Sequence, residues 1–277
     1  MPLPTNPPSD DDATALACGF AHAVGEIGKP GFSAALLEAI AGYCTFDCAL
    51  IVLYAQRRRP DILLDQLYHA TRTNSAEHYV AGAYLLDPFY IWSRGTNEPA
   101  LLRMRDIAPR DFDTSEYFVS YYKQSNVVDE VNYLVPVEDG RIYAVSLERS
   151  SQLQPFSDSE VETLASWLPF IASLVRRHVS MPEVRLPANL TDKEHDRLVE
   201  LLGNFGADVL TARECKVVQL MLNGYSAGAI ASLLEVSVET VRVHRRNIYT
   251  KLNISSLAEL FALALKAIYS GEMLSPR

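Results

Sequence analysis

Three short amphipathic segments, each opened by a residue that can cap a helix, follow one another between residues 210 and 253. Thr211, with Glu214 three residues later, forms a capping box, and Asn223-Gly224 is typical of a helix end. Ser226 and Ser237 can cap the next two helices. Only a short turn separates these two helices. This is the helix-turn-helix spacing, in which the later helix enters the major groove of DNA.

The third helix of this segment has two different sides. At about 100° per residue, Val241, Ile248 and Leu252 form a buried seam. The opposite half carries five side chains: Glu239, Arg242, Val243, Arg246 and Thr250. An arginine can bind both acceptors of guanine, and a valine can contact the thymine methyl group. The flanks, where phosphates would lie, carry Thr240, Arg245 and Lys251. The alternative is a solvated basic face on an ordinary surface helix, and the capped turn favours DNA binding over it.

The segment contains Leu210-Thr211-x-Arg213-Glu214, Gly224-x-Ser226, Val236-Ser237-x-x-Thr240-Val241 and Lys251-Leu252. Together these motifs resemble the DNA-binding domain of LuxR-type transcriptional regulators. The resemblance implies an all-α module of four helices over residues 209–277, with base contacts at Arg242, Val243 and Arg246. It also implies a last helix from Ser255 to about Ile268 that is used for dimerisation. Two positions depart from the pattern, Gly228-Ala229 in place of a charged pair and Leu257 in place of an arginine.

Two short motifs that are typical of hydrolases occur in the chain, and their contexts do not fit. Gly224-Tyr225-Ser226-Ala227-Gly228 matches G-x-S-x-G, but a nucleophile elbow needs a strand before the serine, and here a helix is predicted. Ser120-Tyr121-Tyr122-Lys123 matches S-x-x-K without the partner motifs S-D-N and K-T-G. We therefore assign no catalytic residue. A hydrolase built on the N-terminal part remains the remote alternative.

The composition fits a two-domain regulator of 277 residues, nearly half of them apolar. Residues 1–10 are expected to form a disordered tail, and the lack of an apolar leader or spanning segment predicts a cytoplasmic protein that does not contact a membrane. The cysteines and histidines lack metal-site spacing, so neither a metal nor a cofactor is expected. The net charge is −9, yet from Arg185 onward 11 basic residues nearly balance 10 acidic ones, so the acidity belongs to the N-terminal part.

Residues 11–180 are predicted to form an α+β sensor domain, an antiparallel sheet with helices of the GAF/PAS-like type. The predicted strands are Phe46–Tyr54, Ile62–His69, Asn132–Val137 and Arg141–Leu147, the last two joined by an Asp139-Gly140 turn. The predicted helices are Asp12–Ile27, Phe32–Tyr43, Ser75–Tyr84, Thr114–Lys123 and Ser157–Arg176. Residues 181–208 are predicted to be a linker with one amphipathic helix that Thr191 opens with Glu194 as capping partner.

Tyr79, Tyr84 and Asp87-Pro88 lie at nearly regular spacing, and Tyr133 begins a later apolar strand. These residues resemble the acyl-homoserine-lactone-binding domain of quorum-sensing LuxR proteins, with one residue missing between Tyr79 and Asp87. Ser75 and Asn132 replace the tryptophan and glycine that are usual there. The expected pocket residues are Tyr79, Tyr84, Asp87, Trp92 and Tyr133. In the competing interpretation these aromatics are ordinary core residues, and Asp87 caps the helix that begins at Pro88.

The sequence therefore predicts a homodimeric transcriptional regulator that binds double-stranded operator DNA and a small-molecule effector. A buried Asp87 carboxylate favours an effector with an amine or amide over a typical acyl-homoserine lactone. Dimerisation is expected through a stripe of the last helix, Leu260, Leu263, Ala264 and Ala267. RNA polymerase is a further candidate partner. Regulation without a ligand, or by a partner protein, is the alternative within the same class.

Overall fold

The computed structural model of the protein describes residues 10–67, 75–107, 126–188, 191–223 and 225–270. The elements before residue 108 are, in chain order, α1 (Asp10–Gly25), α2 (Phe32–Ala41), β1 (Cys48–Tyr54), β2 (Asp61–Leu67), α3 (Ser75–Ala81), a 3-10 turn (Ala83–Leu86), α4 (Pro88–Ser93), β3 (Ala100–Arg103) and α5 (Met104–Ile107). The later elements are β4 (Val127–Pro136), β5 (Ile142–Ser150), α6 (Asp158–Val179), α7 (Lys193–Gly203), α8 (Ala212–Leu222), α9 (Ala227–Leu233), α10 (Val238–Leu252) and α11 (Leu257–Ser270).

The strands form one antiparallel sheet in the order β2-β1-β5-β4-β3. The predicted hairpin is confirmed, since β4 pairs with β5 and Asp139 and Gly140 adopt the positive φ values of 59° and 67° that the tight connection requires. The strand β3 was not predicted, because four residues are too few to show an alternating pattern. The predicted helix Thr114–Lys123 and the S-x-x-K motif lie outside the described residues.

One face of the sheet packs against α1, α2 and α6. Its side chains include Ile51, Tyr133 and Val145, and the helices contribute residues such as Leu36 and Ile171 to the same apolar cluster. The start of α6 agrees with the sequence, because Ser157 caps the helix in a capping box with Glu160. This face is a closed core of the N-terminal part.

The other face of the sheet packs against the segment from Tyr79 to Tyr90, and its apolar cluster continues through α7 into the C-terminal helices. Leu198 and Leu201 of α7 are buried in that cluster, so the linker helix packs on its own chain. The predicted cap of α7 is wrong by one residue. Asp192 rather than Thr191 accepts the Glu194 N–H at 3.0 Å, and it is fixed there by Arg59 Nε at 2.7 Å.

A buried ion pair joins β3, β4 and the approach to α6. The Arg103 guanidinium is 2% exposed and donates to Asp129 Oδ2 at 2.5 Å and to the Phe156 carbonyl at 2.6 Å. Asp129 also accepts the Phe156 N–H at 2.8 Å. The short strand β3 is therefore held to the sheet by an ion pair as well as by its backbone pairing with β4.

Within the described ranges, no helix is both long and apolar enough to cross a membrane. Over the same residues, no group of three or more histidine, cysteine, aspartate or glutamate side chains is placed to hold a metal ion.

Candidate functional site

The three C-terminal helix caps predicted from the sequence are confirmed. Thr211 and Glu214 form a reciprocal capping box at the start of α8. Ser226 Oγ accepts the Ala229 N–H at 3.2 Å, and Ser237 Oγ accepts the Thr240 N–H at 3.0 Å. These bonds fix the starts of α9 and α10, and therefore the turn between them. The serine of the G-x-S-x-G motif is thus a helix cap that follows α8, as the sequence context indicated.

The helix α10 turns one side to the core and the other outward. Val241 and Ile248 are fully buried, and Leu252 packs half-buried at the edge of the same cluster. Arg242 and Arg246 are exposed on the opposite side. The seam predicted from the helical periodicity is therefore present, and it aims the two arginines away from the protein.

The outward side of α10 is a basic surface with little internal pairing. Val243 is 37% exposed between the arginines, and Thr240 is exposed near the start of the helix. Arg242 forms an ion pair with Glu239 at 3.1 Å, and both side chains are at least two-thirds exposed. An exposed pair of this kind contributes about 0–1 kcal/mol. The guanidinium is therefore available to a base or a phosphate.

Two of the predicted phosphate contacts also have partners inside the protein. Lys251 Nζ lies 2.6 Å from Glu214 Oε2, so it links the end of α10 to the capping box of α8. Burial tends to raise the pKa of Glu214, but the hydrogen bonds from Lys251 and Thr211 outweigh it and lower the pKa. Arg245 donates to the Tyr249 hydroxyl at 3.3 Å. Lys251 therefore stabilises the fold of the module, which the sequence did not indicate.

Most of the dimerisation stripe predicted on the last helix is used inside the chain. Leu260 and Ala264 are 0% exposed and Ala267 is 3% exposed, while Leu263 is half-buried. They belong to the cluster that includes α7 and α8. The assignment of these residues to a dimer interface is corrected accordingly, because an apolar stripe reports burial without identifying the partner.

Asp87 caps a helix and also takes part in a buried polar cluster. Its Oδ1 accepts the Phe89 N–H at 2.8 Å and caps α4, with Pro88 at the first helical position. Its Oδ2 accepts hydrogen bonds from the Tyr79 hydroxyl and, at 3.3 Å, from the Tyr54 hydroxyl. The two hydroxyls are 2.8 Å apart. The carboxylate is 5% exposed and therefore belongs to a buried polar cluster as well as to a helix cap.

The ring of Tyr84 packs edge-on against that of Tyr79, with 6.3 Å between the centroids, but its hydroxyl does not bond to Asp87. The Tyr84 hydroxyl is 2.6 Å from His195 Nδ1 of α7, so it contacts the linker helix. Trp92 packs half-buried at the edge of the core. Of the five predicted pocket residues, the structure brings together Asp87 and Tyr79, and it adds Tyr54 from β1.

Tyr133 lies on the opposite face of the sheet, contrary to the prediction. Its hydroxyl donates to the Leu164 carbonyl at 2.8 Å, under α6. Successive side chains of a strand point to opposite faces, so its neighbour Asn132 faces Asp87 instead. The signal was present in the sequence. Polar Glu130 and Asn132 alternate with apolar residues in β4, as Ser146 and Glu148 do in β5.

A small cavity of about 20 Å³ lies between Asp87 and the sheet. Its described lining residues are Leu50, Val52, Tyr54, Tyr79, Asp87, Glu130, Asn132, Ala144, Ser146 and Glu148. Apolar side chains and acidic or amide groups share its walls. We refer to this space as the Asp87 cavity.

Asp87 makes the stability of the protein depend on pH. Burial raises the pKa of Asp87 from 3.8 to about 6, although hydrogen bonds from Tyr79 and the Phe89 N–H partly offset the effect. Between these values the folded chain keeps a proton that the unfolded chain releases, so stability falls as the pH rises. Relative to the wild type, the free energy of unfolding of Asp87→Asn should rise by about 2 kcal/mol from pH 4 to pH 7. Urea denaturation at several pH values measures this difference, and a constant difference would contradict the assignment.

Comparisons with known proteins agree with this architecture. Residues 208–264 match the family model described as bacterial regulatory proteins, luxR family. A protein of Aeromonas salmonicida, described as an HTH-type transcriptional regulator in the exeN 3' region, is 30% identical over 160 residues, which cover 56% of this chain and 82% of the relative. The monoamine regulon transcriptional regulator of Klebsiella aerogenes is 25% identical over 225 residues, covering 81% of this chain and 86% of its own.

The N-terminal part is similar in fold to a solved structure. The LBD domain of VqsR from Pseudomonas aeruginosa superposes with a TM-score of 0.52 and 25% sequence identity, covering 60% of this chain and 96% of that domain. The α+β sheet domain and the all-α C-terminal module are thus both found among known regulators. The chain belongs to the luxR family of bacterial transcriptional regulators.

Proposed function

We propose that this regulator reads a specific operator through α10 and that a small molecule bound in the Asp87 cavity controls it. The supporting observation is one short segment, Tyr79–Asp87, which contacts both functional parts. Its first and last residues, Tyr79 and Asp87, line the cavity. Between them, Tyr84 is hydrogen-bonded to His195 of the linker helix.

The same segment also contacts the last helix. Gly82 lies against Ile268 of α11, so close that a Cβ at this position would be 2.2 Å from Ile268 Cγ2. The turn between β1 and β2 adds two ion pairs to α7, Arg57 with Asp196 at 3.1 Å and Arg59 with Asp192 at 2.7 Å. A ligand that moves Asp87 therefore acts on a segment packed against both C-terminal elements. In this proposal the segment and the C-terminal helices adopt two arrangements. The ligand controls DNA binding because it binds one arrangement more tightly than the other.

In this proposal Arg242, Val243 and Arg246 contact bases, and Thr240, Arg245 and Lys251 contact phosphates, Lys251 in addition to its bond with Glu214. The regulator is a cytoplasmic homodimer on a two-fold operator, because one module of this size buries little DNA surface. RNA polymerase is a candidate partner, and no catalysis is required. The functional division places a sensor domain at residues 11–180, a linker at 181–208 and the DNA-binding domain at 209–277.

The proposed effector is not a typical acyl-homoserine lactone. Tyrosine side chains occupy the space beside Asp87, and the cavity that remains is about 20 Å³. An effector with an amine or amide nitrogen agrees with this site, and one relative is named for a monoamine regulon.

Loss of either outward arginine should weaken operator binding selectively. Arg242→Ala and Arg246→Ala are each expected to cost about 1–3 kcal/mol on the specific site, and much less on unrelated DNA, because a guanine contact is lost. An operator selected from random duplexes and fluorescence anisotropy titration at fixed salt give both affinities.

Lys216→Ala is the matched control for charge, since it removes one exposed cation of the same domain outside α10. It should leave the ratio of specific to non-specific affinity unchanged. If Arg242→Ala and Arg246→Ala behaved like Lys216→Ala, the outward side of α10 would not read the bases.

The control by a small molecule has a direct test. Small molecules released from the full-length protein by denaturation are returned to stripped, refolded protein, and melting temperature and operator affinity are measured. The melting temperature should rise with the logarithm of the added ligand, and operator affinity should change with it. Asp87→Asn keeps the cap of α4 but should lose both responses. An equal response in Asp87→Asn, or no response in the wild type, would refute ligand control through this cavity.

A further inference from the structure

We infer that the effector carries a protonated amine, and that its ammonium group binds in the Asp87 cavity between the side chains of Asp87 and Asn132. This inference rests on the proposed function and specifies the chemical class of its ligand. It distinguishes a cation from a neutral amide or lactone.

The strand register places the polar side chains of the cavity side by side. Asn132 of β4 pairs with Ser146 of β5, and Glu130 pairs with Glu148. Leu50 of β1 pairs with Ser146 from the other side. Paired residues point to the same face of a sheet, so these side chains form one continuous floor beneath Asp87.

Asn132 supplies an acceptor that the described protein atoms leave unpartnered. Its side chain is 2% exposed, it lines the cavity, and its Oδ1 has no hydrogen-bond partner among the described residues. Buried polar atoms are nearly always hydrogen-bonded, because an unmade bond is costly away from water. A ligand that donates an N–H to this oxygen would remove that cost. The missing group at this position is therefore a donor.

The walls of the cavity favour a donor that is also positively charged. Asp87, Glu130 and Glu148 are buried acidic residues that line it, at 5%, 6% and 5% exposure. The Asp87 carboxylate accepts hydrogen bonds from two tyrosine hydroxyls and one backbone N–H, and these three donors are neutral. The Ser146 hydroxyl donates a hydrogen bond to the Glu130 carboxylate at 2.5 Å. A cation in this environment gains much more than a neutral amide, because the local dielectric is low.

The size of the cavity suits a small cationic head group. A volume of about 20 Å³ is enough for one water molecule, and an ammonium group is of similar size. The rings of Tyr54 and Tyr79 line the same space and can face a cation. Tyr54 also lines a neighbouring, more open cavity of about 250 Å³, together with Tyr90 and Arg94. The remainder of the ligand has space on that side of the Tyr54 ring.

Paired probes separate charge from shape. The full-length protein is titrated by calorimetry at pH 7.5 with 2-phenylethylamine, n-butylamine and 1,4-diaminobutane, and with the corresponding alcohols, 2-phenylethanol, n-butanol and 1,4-butanediol. N-butanoyl homoserine lactone is added as the neutral amide. We expect at least one amine to bind at least ten-fold more tightly than its alcohol and than the lactone. Equal binding of an amine and its alcohol, preference for the lactone, or binding by none of the amines would overturn the inference.

Two variants test where the amine binds. Asn132→Leu removes the unpartnered acceptor at similar volume, so amine affinity should fall at least ten-fold while the ligand-free melting temperature stays the same or rises. Asp87→Asn should weaken the amine at least ten-fold and leave the alcohol unchanged. The control is Tyr133→Phe, which removes a buried hydroxyl one residue away on the opposite face. It should lower the ligand-free melting temperature and leave amine affinity unchanged.

A loss of amine affinity in Tyr133→Phe equal to that in Asn132→Leu would overturn the location, because it would indicate a general effect on the sheet. Two further outcomes distinguish failure of the proposed function from failure of this inference. If the molecules released from the protein alter operator binding but are not cationic, ligand control stands and the amine inference is wrong. If an amine binds as expected but does not change operator affinity, the inference stands and ligand control is wrong.

Discussion

Gly82→Ala should lower the free energy of unfolding by about 2–5 kcal/mol and should separate effector binding from operator binding. Gly82 has a φ of 153°, which side-chain-bearing residues rarely adopt, and such strain costs about 1–3 kcal/mol. An added Cβ would also lie 2.2 Å from Ile268 Cγ2, and overpacking of this kind costs about 1–3 kcal/mol more. If α11 moves away from the Tyr79–Asp87 segment, part of this strain is relieved. That movement also breaks the contact between the segment and α11.

The measurements are chemical denaturation and operator titration with and without effector. The effector should still raise the melting temperature of Gly82→Ala, but operator affinity should no longer respond to it. Gly203→Ala is the matched control, because a Cβ at the end of α7 meets no atom within 4 Å. An unchanged response of Gly82→Ala to the effector would show that coupling does not pass through this contact.

Arg103→Met should lower the free energy of unfolding by about 3–5 kcal/mol. The substitution leaves Asp129 buried without its cation, and breaking a buried pair from one side has this cost. It also removes the hydrogen bond to the Phe156 carbonyl and so frees the approach to α6. Urea denaturation followed by circular dichroism measures the loss.

Arg105→Met provides the comparison, since Arg105 is 55% exposed and pairs with Asp158, which is 85% exposed. Its loss should cost less than about 1 kcal/mol. The double variant Arg103→Met Asp129→Leu should recover much of the stability, because it removes the uncompensated charge as well. A double variant that is no more stable than Arg103→Met would mean that Arg103 acts mainly through Phe156.

The C-terminal module could be predicted from local sequence because its structure is locally determined. Thr211, Ser226 and Ser237 cap their helices through bonds to residues three positions later, and a single chain segment contains both partners. The buried seam of α10 likewise follows from helical periodicity alone. Long-range bonds were not predictable in this way. The pairing of Lys251 with Glu214 joins residues 37 positions apart.

Only part of the Asp87 cavity could be predicted, because some of its residues come from distant parts of the sequence. Asp87 and Tyr79 lie eight positions apart in sequence and were found together. Tyr54 comes from β1, and its place beside them depends on how the Tyr79–Tyr90 segment crosses the sheet. The resemblance of its strand to the lactone-binding domain predicted Tyr133 as a pocket residue, whereas the pleat of β4 turns Tyr133 to the other face and presents Asn132. The alternation of polar and apolar residues in β4 indicates the same face for Asn132 and Glu130.

The ion pair that joins Arg57 of the β1–β2 turn to Asp196 of α7 is open to water, since Arg57 is 67% and Asp196 45% exposed. Dissolved salt screens such pairs over about 10 Å at 0.1 M. The affinity of a protein for DNA also falls with salt, because bound phosphates release their counterions. Raising the ionic strength therefore weakens this ion pair and DNA binding at the same time. Under the proposed coupling through α7, the salt slope of operator affinity contains ion pairs broken within the protein in addition to phosphates neutralised on the DNA.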